Sequence, residues 1–143
     1  GDFKVENRKT ILNLIYDKNM DLRRTIFLEE NPNIKVDNNS TGEANLLSYK
    51  PNEIKFLVKT NGNGIFFLSD NYFPGWQAYV DGVKTKIYRA DYSFRAIVVT
   101  TGKHEVTFSY YPANFIFGLK VSAAGFLLLI IGFFWVKKYE KKF

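Results

Sequence analysis

Val121 to Val136 are sixteen consecutive uncharged residues, VSAAGFLLLIIGFFWV, and Lys137, Lys138, Lys141 and Lys142 follow at once. At 1.5 Å per residue the run makes a helix only roughly 24 Å long, short of a bilayer core of about 30 Å. Extension back through FIFGLK to Phe115 brings it to roughly 33 Å and takes in one charge, Lys120. Ten of the sixteen residues are Val, Leu, Ile or Phe. At about −0.3 to −0.6 kcal/mol each they favour insertion by roughly −3 to −6 kcal/mol before small and polar residues are counted. Lys120 lies near the end of the span, where its stem can carry the ammonium to the interface. A buried core helix is the competing reading. It fails because nothing else in the chain is helical enough to surround a helix that is apolar on every side. A cleaved signal peptide is excluded by the C-terminal position.

The lysine cluster predicts a cytoplasmic C-terminus by the positive-inside rule, and so an extracytoplasmic remainder. Trp135 and Tyr139 stand where an inner aromatic belt belongs, and Tyr110, Tyr111 and Phe115 where an outer one does. The net charge of +6 partitions unevenly. Residues 1–114 carry 15 basic against 13 acidic side chains, whereas residues 115–143 carry 5 against 1. The basicity belongs mainly to the anchor's flank and suits anionic lipid; nucleic acid is not an expected partner. There is no cysteine, which excludes a disulfide framework, thiolate catalysis and zinc–thiolate sites. It also fits a bacterial envelope better than a small secreted eukaryotic domain. The sequons within Asn38-Asn39-Ser40-Thr41 then read as a polar loop. The chain starts at Gly1 with no export signal before it, and is expected to be the C-terminal piece of a larger membrane protein.

Ile11, Leu12, Leu14 and Ile15 predict a short amphipathic helix over 6–18. After it the period becomes two. Strands are expected at 25–30, 43–49, 53–61, 65–69, 76–80, 83–88, 94–100 and 104–110. Asn61-Gly62-Asn63-Gly64 predicts a hairpin between the fourth strand in chain order and its predecessor at 53–61. IFFLS at 65–69 is apolar on both faces and reads as a central strand. Asp81-Gly82 is a strong two-residue hairpin signal, because a type I′ turn needs positive φ at both positions. Many short strands with close turns predict an all-β fold, an antiparallel sandwich of jelly-roll or immunoglobulin-like kind. The divisions are 1–22 (helix and lead-in), 23–113 (sandwich), 114–136 (transmembrane helix) and 137–143 (cytoplasmic tail).

No catalytic, cofactor-binding or metal-binding pattern stands out. His104 is the single histidine, and no HExxH, EF-hand, GxSxG or P-loop spacing occurs. Asp81 is better explained by its turn than as a catalytic acid. The distinctive stretch is DNYFPGWQAYVDG, residues 70–82. Its rings could form a platform for a sugar or a partner, or Trp76 could simply plug the open end of the sandwich. Strand alternation sends Trp76 inward with Ala78 and Val80, and Tyr79 outward with Gln77. Arg89 and Arg95 flank Tyr92 and could bind phosphate or carboxylate; pairing with Asp70 or Asp91 serves equally well. Tyr72, Phe73, Tyr79, Arg89, Tyr92 and Arg95 are the candidate contacts to glycan or partner.

Three ordered segments carry a resemblance: Pro74-Gly75-Trp76-x-Ala78-x-Val80-Asp81-Gly82, Arg89-Ala90-x-Tyr92-x-Phe94-Arg95-Ala96, and Gly102-Lys103-His104-x-Val106-x-Phe108-x-Tyr110-x-Pro112. With Leu22 to Thr25, Leu28 to Glu30 and Tyr49 to Asn52, they resemble the C-terminal extracytoplasmic domain and last helix of YfhO-like bacterial membrane proteins, over most of residues 7–136. The resemblance implies a multi-helix glycosyltransferase of the GT-C type, moving sugar from a polyprenyl-phosphate carrier to an envelope glycopolymer such as lipoteichoic acid. The catalytic carboxylate expected of such enzymes lies in an early loop outside this chain. The chain itself is therefore expected to be non-catalytic and without cofactor: an accessory domain, or else a carbohydrate- or partner-binding module or a structural cap. Its implied partners are the lipid bilayer, the remainder of the polytopic protein and envelope glycan.

Overall fold

A computed structural model describes residues 2–37 and 39–140, the last two by their backbone alone. Asn38 of the sequon pair, the side chain of Tyr139, and Lys141 and Lys142 lie outside the described residues. The chain divides after Tyr111 into a β-unit and a helical unit.

The β-unit runs β1 (Asp2–Val5), α1 (Arg8–Ile15), β2 (Thr25–Leu28), β3 (Gly42–Lys50), β4 (Glu53–Thr60), β5 (Gly64–Asn71), β6 (Trp76–Val80), β7 (Val83–Thr85), β8 (Tyr88–Ala90), β9 (Phe94–Val99) and β10 (Gly102–Tyr110). The strands form two five-stranded sheets, ordered β1-β2-β8-β9-β5 and β3-β4-β10-β6-β7. Every pairing is antiparallel except β1 with β2, which α1 connects as a parallel crossover. Asn7 caps α1, its side chain accepting from the Thr10 N–H, and Ile11 is wholly buried.

The expected alternation places the core. Ile54 and Val58 of β4, Ala78 of β6, Ile97 and Val99 of β9, and Val106 and Phe108 of β10 form one buried cluster drawn from both sheets. Phe66 joins it, 5.1 Å centroid to centroid from Phe56 and 6.4 Å from Phe108. A second cluster, Leu28, Ala90 and Ala96 with Phe3, Ile26, Ile65, Phe67 and Tyr88 packed on it, lies on the opposite face of the first sheet. Along residues 31–37 Pro32 is buried and Ile34 and Val36 are half-buried, with polar neighbours exposed between them. Val36 shares with Phe3, Ile26, Ile65 and Phe67 the wall of a cleft of about 360 Å3.

The sandwich stands as expected, but the chain changes sheets more often than turn chemistry suggests. Asn61 to Gly64 make a corner, not a hairpin: β4 pairs with β3 and β10, β5 with β9. The corner's polar groups serve other loops. Asn61 Oδ1 accepts from the Thr41 N–H at 2.7 Å, and the Asn63 carbonyl from the Asp37 N–H at 3.2 Å. Glycine is needed at 62 for close approach, since a Cβ would come within 2.7 Å of the Ser40 Cβ. IFFLS lies in an edge strand of the first sheet and not a central one. Its two apolar faces report correctly that each is packed, Phe66 and Leu68 on one cluster and Ile65 and Phe67 on the other. Packing of faces says nothing about hydrogen-bonded neighbours. The expected 83–88 strand divides, β7 staying in the second sheet and β8 entering the first.

Asp81-Gly82 behaves as read: φ is +52° and +79°, and Val80 faces Val83 across the turn. Asp81 also accepts at 2.8 Å from the Glu105 N–H, and its other oxygen lies 2.6 Å from His104 Nδ1.

The helical unit is α2 (Ala113–Glu140). Within Ala113–Lys138 an 18-residue window reaches a mean hydropathy of 2.2, and none of that window is buried by protein. Those 26 residues span about 39 Å, enough for a bilayer core with some tilt. Lys137 and Lys138 occupy the last turn, where cations also suit the helix dipole.

The His104–Asp81 pair predicts a pH signature. The hydrogen bond to Asp81 raises the His104 pKa above 6.5, so that stabilisation is complete below 6.5 and lost as pH rises through the raised value. The bond to His104, then that from Glu105, lowers Asp81 below 3.8, so its share is present above 3.8 and lost as pH falls through the lowered value. Both side chains reach solvent, which keeps the effect small. Melting of the detergent-solubilised chain should fall more between pH 6 and pH 9 in wild type than in His104→Gln; parallel profiles would refute the pair's contribution.

Candidate binding site

Two arginines face each other across the β8–β9 ladder: Arg89 is register partner to Arg95. Like charges directly opposite in a sheet repel, so each needs a carboxylate from elsewhere. Arg95 points between the sheets, in phase with Ile97 and Val99, and is completely buried. Nη2 pairs with Asp70 at the end of β5. Its guanidinium carbon lies 4.1 Å from the Trp76 ring centroid and 5.1 Å from that of Phe108. Burial pulls the Arg95 pKa down and Asp70 pulls it back up; an arginine so placed stays charged. Among the described residues Nε and Nη1 have no hydrogen-bond partner, and the rings supply the nearby electron-rich surface.

Arg89 is matched differently. Its guanidinium sits 4.6 Å from the Tyr72 ring centroid, and Nη1 is 3.7 Å from Glu29 Oε1. Arg8 of α1 reaches the same oxygen at 3.8 Å and lies 4.5 Å from the Tyr92 ring centroid. The result is a partly exposed cluster of two guanidiniums, one carboxylate and two tyrosine rings. Next to it on the chain, Lys86 pairs with Glu30 and lies 5.0 Å from the Tyr88 ring centroid.

The turn that presents Tyr92 is tightly held. Asp91 and Tyr92 both have positive φ, +43° and +73°, unusual for a tyrosine and costing of order 1–3 kcal/mol. Four hydrogen bonds hold it. Asp91 Oδ1 accepts from the Phe27 N–H and the Asp91 N–H donates to the Phe27 carbonyl, both at 2.8 Å. The Ser93 N–H donates to the Asp91 carbonyl, and the Tyr72 N–H to the Ser93 carbonyl. Burial raises the Asp91 pKa, and the Phe27 N–H partly offsets this.

The six sequence candidates thus fall into four places. Tyr72, Arg89 and Tyr92 come together around Glu29. Arg95 lies beneath, paired with Asp70. Phe73 belongs to a ring group with Tyr110 (6.3 Å) and Trp76, itself 5.4 Å from Tyr110. Gly75, at φ +110°, permits that packing, because a Cβ would stand 2.9 Å from the Tyr110 ring. Tyr79 lies on the other face of β6, its hydroxyl donating to Gln77 Oε1 at 2.8 Å. Arg8 and Glu29 were not among the candidates. Glu29 sits in the quoted Leu28-Glu29-Glu30 match, but nothing local ties it to Arg89, sixty residues on. Among the described residues no group of three His, Asp or Glu could hold a metal ion.

A β-sandwich whose chain continues into one long apolar helix defines a membrane-anchored β-domain. The family described as bacterial membrane protein YfhO matches residues 4–122, and the chain belongs to that family. A relative, the uncharacterized protein YfhO of Bacillus subtilis (strain 168), is 28% identical over 113 residues, which cover 77% of this chain and 13% of the relative. The chain thus corresponds to a small part of that protein's length. No solved structure matches.

Asp70→Asn should destabilise the β-unit by about 3 kcal/mol, the lower end for orphaning a buried charge, because Asp70 keeps some solvent contact. Replacing both partners, Arg95→Met with Asp70→Leu, should recover most of that loss. Denaturant melts of the two variants decide it; equal losses would show that the ion pair is not what Asp70 supplies.

Proposed function

We propose that this chain is the accessory extracytoplasmic domain and last membrane anchor of a polytopic bacterial glycosyltransferase. That enzyme would take sugar from a polyprenyl-phosphate carrier and deliver it to an envelope glycopolymer of lipoteichoic acid kind. The chain's own part is to present the Arg8–Glu29–Arg89 cluster, with Tyr72 and Tyr92, to the acceptor or to the transferase core. The observation that carries this reading is that cluster. Planar cations and tyrosine rings at a partly exposed site suit the flat faces and hydroxyls of a sugar. The lysines at the end of α2 and just after it favour a cytoplasmic C-terminus, and with that topology the cluster would lie on the outer side. A purely structural cap is the second reading. It is favoured by one specific observation: Arg8, Arg89 and Glu29 already answer one another, as a network that only docks α1 would.

Topology is tested first. With no native cysteine, Gly82→Cys should label with an impermeant maleimide from outside intact cells, and Phe143→Cys only after permeabilisation. The opposite pattern overturns the placement. Function follows in the full-length protein: Arg89→Gln and Tyr92→Ala should each lower sugar transfer about tenfold, the loss of a contact worth 1–2 kcal/mol, at unchanged abundance. Unaltered transfer in both would support the cap.

A further inference from the structure

β3 is the outermost strand of the second sheet and one of its two longest, nine residues. All but Ser48 are exposed, with Leu46, Leu47 and Tyr49 at 55, 54 and 64%. A long edge strand with apolar side chains is a template for a further strand. The sheet's other edge differs: β7 has three residues, Lys84 at its centre.

What fits this edge is written in its register. Ala44 faces Val58, Leu46 faces Phe56 and Tyr49 faces Ile54, so these three lie on the inner face. Glu43, Asn45, Ser48 and Lys50 face Lys59, Leu57, Lys55 and Glu53, on the outer face. The change of parity comes from a bulge at Leu47. Counted outward from Leu46, with Leu47 set aside, the strand is complementary to itself when run antiparallel. Asn45 matches Ser48, Ala44 matches Tyr49, and Glu43 matches Lys50, each pair on a common face. A bulge-free strand would have put Glu43 and Lys50 on opposite faces. The Glu43 carboxylate is already fixed on the outer face, accepting from Asn45 Nδ2 at 2.9 Å.

We propose that β3 is the docking surface for a second copy of this chain. The two β3 strands pair antiparallel about a two-fold axis at Leu46, joining the second sheets of both copies into one. The interface is isologous, as closed dimers require. Glu43 meets the partner's Lys50 twice, once on each side of the axis, and Leu46 meets the partner's Leu46 in the middle. Any shift of register separates both charge pairs, so the charges fix the alignment that the leucines alone would leave loose. This pairing is independent of what the parent protein transfers.

The test uses the full chain in lipid nanodiscs and in detergent. Residues facing each other in an antiparallel pair stand about 4.5–5.5 Å apart, within disulfide reach. Leu46→Cys should therefore form a dimeric disulfide under mild oxidation, and Val83→Cys, exposed on the opposite edge, should not. By sedimentation in detergent, Glu43→Lys and Lys50→Glu should each weaken association about tenfold, like charges now meeting twice. The double reversal Glu43→Lys with Lys50→Glu should restore it. The proposal is overturned if Leu46→Cys cross-links no better than Val83→Cys, if the double reversal does not restore association, or if Leu46→Cys in native membranes captures a different polypeptide instead of itself.

Discussion

Arg95, buried between the sheets and paired with Asp70 of its own sheet, constrains how the chain is arranged at one end of the sandwich. An unpaired guanidinium between them would cost several kcal/mol; here it is paired by the last residues of β5 and faced by Trp76 and Phe108. Three constraints follow. β5 must run on past its regular ladder to bring Asp70 in, and its register with β9 does shift between Leu68 and Asn71. The chain must then turn sharply to bring Trp76 back over the guanidinium, which the Pro74-Gly75 turn does. β10 must place Phe108 on its inner face. The ion pair joins neighbouring strands of the first sheet, and the relation between the sheets rests on the guanidinium's contacts with the rings of Trp76 and Phe108.

Arg89 extends the same logic to the edge of the first sheet. Its neighbour across the ladder is a cation, so its carboxylate has to come from a different strand. Glu29 arrives from the end of β2, and Arg8 of α1 closes on the same oxygen. A repulsive cross-strand pair becomes the reason that the N-terminal helix, the parallel β1–β2 pair and the Asp91–Tyr92 turn converge. The strain of a left-handed tyrosine is held there by hydrogen bonds from Phe27 and Tyr72. The cluster is also assembled from the most distant parts of the β-unit, and is expected to form late in folding.

Legibility in the sequence followed locality. The Asp81-Gly82 turn, the inward side of β4, β6 and β10, and the membrane helix each depend on residues a few positions apart, and each was readable. The corner at Asn61–Gly64 was not, because a turn signal states that the chain reverses and not which strand it then joins. Arg95 was legible in part, since pairing with Asp70 stood as one of its two readings and is what the structure shows. Arginine is almost never fully buried, so the residue type argued for a surface role, while its phase with Ile97 and Val99 argued for the interior. The phase was the better guide. Arg8 and Glu29 carried no local signal, since their meaning is set by Arg89 in a strand that neither resembles nor adjoins them in sequence.

Charge separates the two units by task. The first 114 residues are nearly balanced, and the described cations that matter to the cluster are already answered by Glu29, Glu30 and Asp70. Surplus positive charge is concentrated at the C-terminal end of the membrane helix and just after it. A nearly neutral domain exerts little long-range pull on anionic polymers. Under the proposed function, a partner of the tyrosine–arginine cluster would be selected at contact distance, by stacking and by hydrogen bonds that displace the long Glu29 contacts of 3.7 and 3.8 Å. Such a site gains nothing from steering and everything from being held near its partner. Tethering by the helix supplies that nearness as an effective concentration, and weak contact recognition becomes sufficient once the domain and its partner share one membrane.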